Sequence, residues 1–113
     1  MLLKKAPNKK MIGTSAQGTI HIGFDELVDL LGTPHHIFEN EPNMPPNKVR
    51  CEWDVLIDGE PVAVYDWCRY DEEIEDVQQW NIGGHSVKAI QKLMELKGAP
   101  IDTLKVIVDK NII

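Results

Sequence analysis

The stretch Trp80-Asn81-Ile82-Gly83-Gly84-His85-Ser86 brings together residue types that can hold an anion. It predicts the end of a strand, a two-glycine turn and the start of a helix. Backbone N–H groups at a helix start have no partner within the helix, so a phosphate or carboxylate can accept from them. Ser86 would add a hydroxyl, His85 a proton exchangeable near neutrality, and Lys88, one turn on, a positive charge. The same residues also make an ordinary capped turn, with Ser86 as N-cap and the glycines serving the turn. The Gly-Lys-Ser/Thr order of a P-loop is missing.

Trp53, Tyr65, Trp67, Tyr70 and Trp80 all fall in the middle of the chain. Such side chains stack on a base, anchor a partner protein or fill a core. Trp53 shares a strand face with Val55 and Ile57 and is expected in the core. Tyr65 and Trp67 share a face with Ala63, opposite Val62 and Val64. If the valine face turns inward, the two rings form an exposed platform, and Arg69 extends it with a group that pairs with anions. Together these residues outline a nucleotide site. A base would stack on Tyr65, Trp67 or Trp80, and phosphates would sit at Gly83, Gly84, His85, Ser86, Lys88 or Arg69.

Asp71, Glu72, Glu73, Glu75 and Asp76 put five carboxylates into six residues. They predict a solvated loop. Alternatively, the run mimics a phosphate backbone and occupies a nucleic-acid-binding protein. It lacks the glycine and terminal glutamate of an EF-hand loop. His35-His36 has no further ligands at a recognisable spacing, and Cys51 and Cys68 form no C-x-x-C. No metal site and no cofactor are expected. Nor is a catalytic residue: His85 and Ser86 are neighbours that do not face each other on a helix, and neither cysteine has an evident activating group.

The elements that must position these residues are readable from periodicity. Residues 19–22 read as a short strand. Phe24, Leu27, Val28 and Leu31 repeat at helical spacing, with Asp25 and Glu26 in the first turn and Gly32 and Pro34 to end it. Residues 33–48 are a long loop rich in proline and asparagine. Residues 49–57 alternate: Val49, Cys51, Trp53, Val55 and Ile57 point one way, and Arg50, Glu52, Asp54 and Leu56 the other. Asp58-Gly59 is a hairpin turn, residues 62–67 return, and residues 77–82 add a third strand. A helix from 85 or 86 to about 97 ends at Gly98 and Pro100. Residues 101–113 fit helix or strand equally.

The chain has 113 residues, 42% of them apolar, which suits one domain with a modest core. No apolar run approaches the roughly 20 residues that span a bilayer. The net charge is −6, and Lys4, Lys5, Lys9 and Lys10 lie in the lead-in. Residues 11–113 therefore carry eight basic side chains against eighteen acidic ones. Such a body repels phosphate backbones, so neither direct nucleic-acid binding nor membrane binding is expected. The expected fold is α+β: a small antiparallel sheet, made of a three-strand meander plus an N-terminal strand, packed on two main helices. Residues 1–16 are expected as a basic flexible lead-in and 17–113 as one domain. The apolar segment 99–113 would dock on it or join subunits of a homodimer or larger homo-oligomer.

Several of these pieces together resemble a group of small proteins of tailed bacteriophages. They are Gly18-Thr19-Ile20 before a helix ending Leu31-Gly32-Thr33-Pro34, Trp53 with Val55, Ile57 and Asp58-Gly59, Val64-Tyr65-Asp66-Trp67 as an I-Y-x-W-like strand, and Trp80-x-Ile82-Gly83-Gly84-His85-Ser86. The likeness covers about residues 18–97 and departs at 1–16 and 99–113. It implies a phage protein acting in the host cytoplasm, and such proteins often counter host defence by blocking a protein or sequestering a signalling nucleotide. The expectation is a non-enzymatic protein that sequesters a nucleotide signal. The alternatives are an acidic inhibitor of a host defence protein, acting through residues 71–76, and a small nucleotide hydrolase.

Overall fold

Alternation along Cys51–Ile57 sends Cys51, Trp53, Val55 and Ile57 to one side, and all four are buried. This strand and the two that follow build the middle of the sheet. The computed structural model describes residues 2–39, 42–43, 45, 48–69 and 71–98, and the backbone of 106–108. In chain order the elements are β1 (Leu3–Lys5), α1 (Asn8–Met11), β2 (Ser15–His21), α2 (Phe24–Leu31), β3 (His36–Ile37), β4 (Cys51–Ile57), β5 (Glu60–Tyr65), β6 (Gln79–Gly84), α3 (Lys88–Lys97) and β7 (Val106–Val108). The seven strands form one antiparallel sheet ordered β1-β4-β5-β6-β2-β7, and β3 also pairs with β4.

The α+β class and the β4-β5-β6 meander agree with the sequence reading. Asp58 (φ 51°) and Gly59 (φ 84°) both take the left-handed conformation, as a tight hairpin between β4 and β5 needs. One face of the sheet carries Trp53, Val55, Val62, Val64, Trp80, Ile82 and Ile20, and the helices cover it with Leu27, Leu31, Ile90, Leu93 and Met94. Trp53 and Trp80 meet edge to face with centroids 5.4 Å apart. Trp53 Nε1–H donates to the Gly32 carbonyl (2.8 Å), which ties β4 to the end of α2.

Four expectations change. The lead-in is not a loose arm: β1 pairs with β4, and α1 packs against β5 on the face the other helices leave open. Tertiary pairing overrides its weak local signal, and Ala6 N–H donates to the Asp54 carbonyl at 2.9 Å to hold it there. The loop over 33–48 contributes β3. The pair Gly83-Gly84 is no turn; both glycines lie inside β6 without positive φ. A Cβ on Gly84 would overlap the Ala89 Cβ, so this glycine lets α3 approach the sheet. Trp80 is fully buried between sheet and helices, so no base can stack on it. The reading of 99–113 as a docking segment lies outside the described residues, apart from the backbone of β7, which borders β2. Tyr70 lies outside them too.

Candidate functional site

The open face of the sheet is where the polar residues converge. The β4–β5–β6–β2 register sets Asp54 opposite Ala63, Ala63 opposite Gly83 and Gly83 opposite Ala16. That row of small residues makes a floor. Glu52 lies opposite Tyr65 in the next row. Met11, Thr14 and Ser15, at the end of α1 and the start of β2, close another side. The result is a cleft of ≈ 360 Å³ lined also by Glu52, Asp54, Ala63, Tyr65, Trp67 and Gly83. Its size falls in the range of small-molecule sites. A Cβ on Gly83 would stand 3.3 Å from Tyr65 Cε1, so the missing side chain gives the tyrosine ring its place.

Trp67 stands at the rim with 49% of its surface exposed. Lys48 Nζ lies 5.7 Å from the centre of its ring, in a cation–π contact. On the outer side of β4, β3 sets His36 opposite Glu52. His36 Nε2 and Asp54 Oδ2 are 3.0 Å apart. Asp54 N–H donates to His35 Nδ1 (3.0 Å), which fixes that ring with its proton on Nε2. Burial first, then the Lys5 charge, holds the His35 pKa below its ordinary value. Burial, followed by a hydrogen bond to Asp54 and the Asp54 charge, pushes the Glu52 carboxyl up to about 8. Glu52 is therefore a neutral acid near pH 7, next to a buried partner. Burial and then the Glu52 charge raise the Tyr65 phenol as well.

The structure brings together part of the residue set expected for a nucleotide. Val62 and Val64 do face inward, and Tyr65, Trp67 and Gly83 all line the cleft. The anion-binding turn is a correction. Gly83 and Gly84 pair with β5 and β2 on either side, so β6 has no row of amides to offer an anion. His85 is exposed and its Nε2 lies 3.1 Å from the Lys10 carbonyl. Ser86 Oγ accepts from the Lys88 N–H at 3.2 Å, a local contact ahead of α3, whose N-cap position is Val87, and Lys88 is exposed. Arg69 donates to Gln79 Oε1 (2.9 Å) and pairs with Glu72 (3.8 Å). Arg69, His85, Ser86 and Lys88 are not among the cleft's lining residues. In the acidic run, Asp71, Glu73, Glu75 and Asp76 are exposed and Glu72 half-buried, around a 3-10 turn at Ile74–Asp76. The Arg50 guanidinium donates to the Glu72 carbonyl (2.8 Å) and pins this segment to the sheet.

No family model matches the chain, and neither the curated proteins nor the solved structures yield a match. The site is therefore read from its own chemistry. Sequence reasoning missed His36, Glu52 and Asp54 as a group. Alternation along β4 already put Glu52 and Asp54 on the face opposite Trp53. What it could not show is the pairing of β3 that brings His36 to them.

Proposed function

We propose that this protein is a non-enzymatic binding protein that sequesters a nucleotide in the cleft on the open face of its sheet. The observation that carries this reading is a ligand-sized cleft walled by Tyr65 and Trp67, with Trp67 half-exposed and Lys48 above its ring. A purine or pyrimidine stacks on such a platform whatever its hydrogen-bonding edge. The phosphates lie toward Lys48 at the rim, because the Asp54 carboxylate would repel them deeper in. The phage origin, the host cytoplasm and the countering of a host defence rest on the motif likeness alone. In that setting, sequestration removes a signalling nucleotide.

The test is native mass spectrometry and calorimetric titration with a panel of cyclic and linear nucleotides. One nucleotide class should bind, and Trp67→Ala should weaken it about tenfold or more, the scale of one base–aromatic stack. If no nucleotide binds, or Trp67→Ala binds as tightly as the parent, the reading fails. The Glu52–Asp54 carboxyl pair favours a second reading, hydrolysis of the bound nucleotide by general acid–base chemistry. Heating the complex separates the two: a sponge returns its ligand unchanged and a hydrolase returns product.

A further inference from the structure

We infer that His36, Glu52 and Asp54 bind a first-row transition dication of the Zn²⁺ or Mn²⁺ type, beside the Glu52–Asp54 wall of the cleft. The inference uses different residues from the nucleotide reading and stands without it. Each of the three side chains offers one ligand atom, and these atoms all lie within 4.8 Å of one another. A tetrahedral ion with bonds of ~2.1 Å holds its ligand atoms ~3.4 Å apart, so small side-chain rotations close the set around a cation. The ligands sit on paired strands: Glu52 and Asp54 on β4, and His36 opposite Glu52 on β3. Strand-borne ligands keep their spacing better than loop-borne ones.

A second observation points to a missing cation. The Asp54 side chain is 8% exposed, and its Oδ1 is buried with no N–H donor, so only a proton held by Glu52 or a cation can serve it. A buried carboxylate oxygen left in this state is costly, and most native examples find a proton, a water or an ion. Asp54 also lines the cleft beside Glu52, so a cation there has room for a water or a further ligand on its open side.

The surroundings restrain two of the three ligands. The His36 ring lies parallel to Phe38, with centroids 6.0 Å apart and planes 9° from parallel, which restricts its swing. The Asp54 backbone is held from two directions, by His35 Nδ1 and by the Ala6 N–H. Such partners orient ligands and tighten metal binding. On binding, Glu52 releases its proton to solvent; two carboxylates then balance the charge of a dication, and the imidazole favours a transition ion over Mg²⁺ or Ca²⁺.

The test is titration of the full-length protein, freed of metal by chelator and desalted, with Zn²⁺ alone. One ion per chain should bind. His36→Gln and Glu52→Gln should each weaken it by about 100-fold or more, while His21→Gln, an exposed histidine on β2, should leave it unchanged. Mg²⁺ should not compete at equal concentration. Circular dichroism of each variant shows that a loss is not unfolding, and the two ligand variants check each other. The inference is overturned by no stoichiometric binding, by parent-like affinity in His36→Gln or Glu52→Gln, by equal loss in His21→Gln, or by Mg²⁺ binding as tightly as Zn²⁺. Nucleotide is absent throughout, so this outcome is independent of whether a nucleotide binds at Trp67.

Discussion

Glu52 and Asp54 are two residues apart on one strand, so their carboxyl groups emerge on the same side. Burial, the hydrogen bond to Asp54 and its charge raise the Glu52 pKa from 4.5 to about 8. The folded chain thus keeps a proton that the unfolded chain releases at much lower pH. By linkage, the stabilisation from that proton is fully present below 4.5, and it is lost as pH rises through about 8. With chelator present, thermal midpoints of the parent should fall across that window. Glu52→Gln keeps a neutral donor at all pH values, so its curve should be flatter and should cross above the parent at the alkaline end. Parallel curves for the two proteins would show that Glu52 does not carry the raised proton affinity. Asp66, by contrast, is a buried carboxylate with a structural task. It accepts from the Arg50 and Cys51 N–H groups at 2.8 and 3.0 Å and from Arg50 Nε at 3.2 Å.

At the scale of elements, the contact of α3 with β6 depends on one absent side chain. A Cβ on Gly84 would overlap the Ala89 Cβ, and Ala89 is fully buried. Gly84→Ala should therefore cost about 1–3 kcal/mol in urea unfolding, the usual range for overpacking a closed contact. Stability within error of the parent would mean that α3 can shift at little cost. This position shows why the sequence was legible in some elements and not in others. The stripe Phe24, Leu27, Val28, Leu31 and the alternation over 49–57 are local periodicities; the helix forms at those bounds, and the strand forms over Cys51–Ile57, two residues shorter than the pattern. The glycine pair carries no period. Its local signal says turn, but the contact that needs it comes from a helix packed across the sheet. β1 and β3 are similarly silent, because three and two residues gain their strand geometry only by pairing with β4. The candidate site follows the same division. Tyr65, Trp67, Glu52 and Asp54 could be placed on their faces from alternation. The cleft itself could not, since its walls come from the end of α1, the start of β2 and the Ala63–Gly83 row.

For the whole molecule, the two borders of the sheet are guarded differently. β1 and β3 lie end to end along the outer side of β4, so that edge is broken into short pieces with Lys4 and Lys5 on one of them. Short, charged strands are poor templates for another chain. The opposite border is β7, whose backbone pairs with Gly18, Thr19 and Ile20 of β2. β2 itself, Ser-Ala-Gln-Gly-Thr-Ile-His, has no lysine, arginine or acidic residue along its seven positions. Without β7 its outward N–H and C=O groups would form a long uncharged edge, the type that adds strands from neighbouring molecules. A chain ending after Gly98 should therefore self-associate more strongly than the full-length protein in light scattering, and melt at lower temperature. Placing a lysine at Thr19 in that shortened chain should reduce the association without restoring the melting temperature, because a charge blocks edge pairing but replaces none of the lost backbone hydrogen bonds. If the shortened chain has the same mass distribution and melting temperature as the full-length protein, β7 is not what closes this border.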